Sequence, residues 1–182
     1  RREVPVARRG EFVGRRREIQ AVLAAFRDGA AGVLIHGMAN LGKSSLAARI
    51  ASRLNRHRTV VVFEHYDALN VFDRLVEALP PAARRDFRQA WRQAAIDDPA
   101  SLGDALEVLL GGPFLQEPIL LVIDDLERIL DLQAQAAAAA PVRSAWQMPL
   151  AAMLGAFAHA RAAGGDSQLL LTSRYRFTLP DA

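Results

Sequence analysis

The segment Gly37-Met38-Ala39-Asn40-Leu41-Gly42-Lys43-Ser44 carries the pattern G-x-x-x-x-G-K-[ST], a spacing suited to chemistry on phosphate groups. Glycines at its two ends let the backbone curl until successive N–H groups point at one anion. A helix starting at the lysine would add the positive end of its dipole. The loop from Gly37 to Ser45, with Met38, Ala39, Asn40 and Leu41 at its tip, is therefore expected to hold the phosphates of ATP or ADP. In that arrangement Lys43 reaches the β- and γ-phosphates, the Ser44 hydroxyl ligates Mg2+, and Ser45 touches the α-phosphate. Lys43 is also the single lysine among 23 basic residues. Its place inside the loop of an otherwise arginine-only chain fits a position where a compact ammonium is needed.

Two further segments end in polar groups after apolar runs. Ile119-Leu120-Leu121-Val122-Ile123 leads into Asp124-Asp125, where Asp124 is expected to hold Mg2+ through water and Asp125 to polarise an attacking water, with Glu127 as its substitute. Leu169-Leu170-Leu171 leads into Thr172-Ser173-Arg174, where Arg174 could reach a γ-phosphate or sense its loss. The expected catalytic set is thus Lys43, Asp125 and Arg174, and the expected metal set Ser44 and Asp124.

The elements that must position these groups follow from periodicity. Ile19, Val22, Leu23 and Phe26 share one face of a helix over 15–27. Val33-Leu34-Ile35 reads as a buried strand that feeds the loop, and residues 43–53 as the helix that leaves it. Residues 59–63, Thr-Val-Val-Val-Phe, are rich in β-branched residues and strand-like. Between 65 and 117 the pattern predicts three helices, broken by Pro80-Pro81, Pro99 and Gly111-Gly112-Pro113. A strand over 119–123, a helix over 150–163, a turn at Gly164-Gly165-Asp166 and a strand over 168–172 complete the series. The alanine-rich stretch 131–149 predicts only a helix extension or an exposed loop. Alternating strands and helices imply an α/β fold of three layers, α/β/α, around a mainly parallel sheet whose ligands bind beyond the carboxyl ends of the strands. The expected organisation is one domain over 1–182, an entry segment 1–14 followed by an α/β core 15–182, cut from a longer multidomain protein.

Composition removes several other chemistries. The absence of cysteine excludes disulfides and thiolate zinc sites, and His36, His57, His65 and His159 lack metal-ligand spacing. The longest strongly apolar stretch is far short of the ~20 residues that cross a bilayer, so no membrane partner and a cytoplasmic location are expected. A net charge of +3 with 20 acidic residues reads as a mixed surface more than as a nucleic-acid footprint.

Glu11-Phe12-Val13-Gly14-Arg15, completed by Glu18, resembles the "FVGR-x-x-E" entry of the signal-transduction P-loop NTPases known as STAND or NB-ARC proteins. Gly37-Met38 with Gly42-Lys43-Ser44-Ser45-Leu46-Ala47 is similar to that family's P-loop, Ile123-Asp124-Asp125-Leu126 to its second motif, and Thr172-Ser173-Arg174 to its sensor. The resemblance covers nearly the whole chain. It implies that Phe12, Val13 and Gly14 line an adenine pocket, and that the domain is a regulatory switch with weak ATPase activity. Exchange of ADP for ATP would then be coupled to conformational change and self-association, or to contacts with partner domains of a longer protein. The chain departs from the family at Ala39-Asn40, where a glycine-rich pair is usual, and these 182 residues carry no "G-L-P-L" motif or winged helix. A DNA-associated AAA-type ATPase of the origin-recognition or transposition-helper kind fits the same motifs, with Arg1, Arg2, Arg8, Arg9 and Arg15 to Arg17 as phosphate contacts. A scaffold that binds nucleotide without hydrolysis fits them as well.

Overall fold

A computed structural model describes residues 15–39, 41–98, 101–133 and 139–179. The expectations for Phe12, Val13, Gly14 and Asn40 therefore lie outside the described residues. Along the chain the elements are α1 (Arg16–Arg27), β1 (Gly32–His36), α2 (Lys43–Ala51), β2 (Arg58–Val62), α3 (Ala68–Glu77), α4 (Pro81–Asp97), α5 (Ser101–Gly111) and α6 (Pro113–Gln116). There follow β3 (Ile119–Ile123), a 3-10 turn (Leu126–Ile129), β4 (Ala139–Pro141), α7 (Ser144–Ala162), β5 (Gln168–Ser173) and β6 (Arg176–Thr178).

β1, β5, β3 and β2 lie side by side in that order and pair in parallel throughout. Every residue of β3 and β5 is buried, because the two faces of the sheet are both covered. Ile119, Leu121, Ile123, Leu169 and Leu171 point into a core shared with α3, α5 and α7. Leu120, Val122 and Leu170 point the other way, onto Val22 and Phe26 of α1 and Leu46, Ala47 and Ile50 of α2. Two-sided burial is why these strands read as unbroken apolar runs rather than as alternating ones. The result is the three-layer α/β/α fold that the sequence predicts.

Three local features differ from expectation. Among the described residues, 65–117 holds four helices, since Pro113 starts a single turn, α6, that buries Phe114. The helix expected from 150 begins at Ser144 and runs through Pro149. Its buried residues Leu150, Met153 and Phe157 and its close approach to α5, with Ala152 beside Gly103, outweigh the intrahelical hydrogen bond that proline forfeits. The alanine-rich stretch contributes β4, which pairs in parallel with β6 through Ala140 and Phe177. Ala140 is fully buried, so part of that stretch belongs to the core.

Candidate functional site

β1 delivers its last residue, His36, to the mouth of the loop. Gly37 takes a φ of 149° and Gly42 one of 68°, conformations that a side chain at either position would resist. The Gly37 N–H donates to the Ser173 carbonyl at 3.2 Å, which ties the start of the loop to the end of β5. α2 then begins at Lys43, so the amides of its first turn, including those of Ser44 and Ser45, have no intrahelical acceptor. The Lys43 side chain folds back over the loop and its Nζ donates to the carbonyls of Gly37, at 3.0 Å, and Met38, at 3.1 Å. An ammonium has three donors, and these carbonyls occupy two. Met38 and Leu41 are exposed at the loop tip.

The acidic end of β3 meets this loop directly. Asp124 is buried, and its Oδ1 accepts from the Ser44 hydroxyl at 3.0 Å and the Thr172 hydroxyl at 2.5 Å. The same Thr172 oxygen accepts the Asp125 N–H at 3.0 Å. Asp125 itself adopts a left-handed conformation, φ 57° and ψ 45°, uncommon for a non-glycine residue. The Tyr66 hydroxyl reaches the carbonyls of both Asp124, at 2.7 Å, and Asp125, at 3.1 Å. Burial pushes the Tyr66 phenol well above its ordinary range, so it remains a neutral donor. Burial also raises the Asp125 carboxyl, reinforced by the neighbouring Glu127 and Asp124 carboxylates and opposed by Arg128 and Lys43.

Arg174 and Glu127 form a pair at the rim. The Arg174 Nε lies 2.9 Å from Glu127 Oε1 and its backbone N–H donates to Oε2 at 3.1 Å. The glutamate side chain is 11% exposed and the arginine 53%. Arg128 sits 3.8 Å from Asp125 Oδ2, 3.9 Å from Glu64 Oε1, and 5.0 Å over the Phe63 ring.

The structure thus brings Lys43, Ser44, Asp124 and Thr172 together, with Asp125 and Arg174 beside them at the carboxyl edge of the sheet. Among the described residues no group of three or more histidine, cysteine or acidic side chains could hold a metal. A hydroxyl and a carboxylate oxygen 3.0 Å apart do suit Mg2+, a hard cation that keeps waters and shares its shell with phosphates. Two participants, Tyr66 and Arg128, escaped sequence reasoning because they carry no spacing signal of their own, whereas Thr172 was legible only as part of a motif. Glu127, expected as a substitute base, pairs with Arg174. No described helix is long and apolar enough to cross a membrane.

A parallel α/β/α sandwich with a phosphate loop on β1 and an acidic strand end two strands away defines a P-loop NTPase. The chain belongs to the AAA ATPase domain family, whose model matches residues 11–169. Neither the curated proteins nor the solved structures give a match. The domain is accordingly a nucleotide-binding one.

Proposed function

We propose that this domain is the nucleotide switch of a STAND-type signalling NTPase, binding ATP or ADP with Mg2+ and hydrolysing ATP slowly. In this reading Lys43 and the amides of the loop and first turn of α2 bind phosphate oxygens. Asp125 orients the attacking water and accepts its proton. Mg2+, held by Ser44 and through water by Asp124, would neutralise charge across the β- and γ-phosphates. The observation that carries the switch reading is the pairing of Arg174 with Glu127 at 2.9 Å. An arginine already bound to a carboxylate can engage a γ-phosphate only by leaving that partner, so ATP and ADP favour different arrangements of the rim. Coupling of that change to self-association completes the proposal.

Phosphoryl transfer without an arginine finger is slower by about 10³ to 10⁵, and Arg174 reaches a γ-phosphate only after releasing Glu127. Single-turnover hydrolysis on residues 1–182, with Lys43→Ala as the control for contaminating ATPase, should run far below ~1 s⁻¹, the low end of ordinary enzymes. Turnover at that rate or faster overturns the switch and favours a self-sufficient ATPase. Membership of the AAA ATPase domain family supports a second reading equally well, a DNA-associated ATPase. Duplex DNA binding whose affinity falls steeply with salt would favour it, and its absence the switch.

A further inference from the structure

We propose that Tyr66 is a positioning residue for ATP hydrolysis, its hydroxyl fixing the peptide between Asp124 and Asp125 and so aiming the Asp125 carboxylate. The inference rests on the reading of Asp125 as the water-orienting group. That peptide is held along both edges. Its carbonyl, on Asp124, accepts from Tyr66 at 2.7 Å, while its N–H, on Asp125, donates to Thr172 at 3.0 Å. One peptide plane gripped on opposite sides cannot rotate without breaking a bond.

The grip falls where the chain most needs it. Asp125 is left-handed, a conformation uncommon for a non-glycine residue, although aspartate tolerates it better than most. Both carbonyls flanking its Cα point at the same phenol oxygen, an arrangement the left-handed turn produces and an extended continuation of β3 would not. The Asp125 carbonyl has the Arg128 N–H as a second donor at 3.1 Å. The phenol therefore ties the turn to the β2–α3 connection. The same connection supplies Phe63 and Glu64, which hold Arg128 against the Asp125 carboxylate. Residues 63–66 thus set both the backbone and the side chain of Asp125, and none of them carries a phosphate-binding motif.

Misplacing a reacting group by about 1 Å costs up to ~10²-fold in rate. Tyr66→Phe keeps the buried ring and removes only the hydroxyl. It should leave ATP affinity within about twofold and slow single-turnover hydrolysis by roughly 10- to 100-fold. It should also speed exchange of the Asp125 amide by about tenfold or more while amides in β3 and β5 stay protected. In an Asp125→Asn background the same change should add no further loss of rate, an outcome that a merely structural tyrosine would not give. Parental turnover in Tyr66→Phe beside slow turnover in Asp125→Asn overturns the assignment of Tyr66 alone. Equal turnover in parent and Asp125→Asn overturns the reading of Asp125, and this one with it.

Discussion

Thr172→Val removes one hydroxyl at the point where the halves of the site meet. The Thr172 oxygen accepts the Asp125 N–H at 3.0 Å and donates to the Asp124 carboxylate at 2.5 Å, and the residue is fully buried. Valine fills the same volume, so no cavity forms and the cost is polar. Losing a hydrogen bond to a charged acceptor costs about 1.5–3 kcal/mol, and stranding a buried N–H about 1–3 kcal/mol more. Two features reduce the sum. Ser44 still donates to the same carboxylate oxygen, and the Asp125 side chain is 35% exposed, so water can approach its backbone. A net loss of about 2–4 kcal/mol follows, or ~5–15 °C in Tm for a domain of this size. Thr172→Ser, which keeps the hydroxyl and drops one methyl, should cost only ~1 kcal/mol. Urea unfolding of parent, Thr172→Val and Thr172→Ser, with unchanged slopes, gives the comparison. If valine costs no more than serine, the hydroxyl does not join the two aspartates and the geometry assigned to the site is wrong.

Lys43→Ala should weaken ATP binding by about 10²- to 10³-fold, the worth of two charge-assisted hydrogen bonds to phosphate; parental affinity by titration calorimetry would place the phosphate site elsewhere. Asp125→Asn should retain ATP and Mg2+ binding and slow turnover. It should also change how stability depends on pH in the metal-free protein. The folded-state carboxyl titrates above the unfolded one, so its contribution is full below the ordinary aspartate value of ~3.9 and is lost as pH rises through the folded value. The variant should therefore gain stability relative to the parent as pH rises above ~4 in EDTA thermal melts, and a parent that instead gains on the variant with rising pH contradicts the burial argument. Glu127→Gln should raise the ratio of ATP to ADP affinity by about 3- to 10-fold, because a neutral amide holds Arg174 less strongly than a carboxylate. An unchanged ratio means Arg174 does not distinguish the two nucleotides.

Much of this architecture is legible because it obeys simple periodicities. Leu120 and Val122 alternate with Ile119, Leu121 and Ile123 between two cores, and such double burial leaves an apolar run that any reading finds. The loop is legible because glycine at 37 and 42 and lysine at 43 answer to backbone geometry and phosphate charge. What stayed hidden depends on pairings distant in sequence. β4 is three residues in an alanine-rich stretch, a strand only because β6 lies beside it. Tyr66 and Asp124 are 58 residues apart, and nothing in either neighbourhood announces the other. Pro149 misled in the opposite direction, since packing against α5 keeps it inside a helix that local propensity would end.

The order of the sheet explains why so much converges on one short segment. β1 and β3 are separated by β5, hence by about two strand spacings, ~9–10 Å. The loop on β1 and the acids on β3 must therefore meet over the end of β5. Three consecutive residues there each hold a different part. Thr172 holds Asp124 and the Asp125 amide, the Ser173 carbonyl holds the first amide of the loop, and Arg174 holds Glu127. Thr172 and Ser173 belong to a strand whose interior is packed on both faces, whereas the Arg174 side chain stands half exposed at the rim. A rigid strand ending in one movable arginine can keep the loop and the acids in fixed register while the rim changes partners. Substitutions at Thr172 should accordingly alter stability and binding together, and substitutions at Arg174 should alter the response to nucleotide with little change in stability.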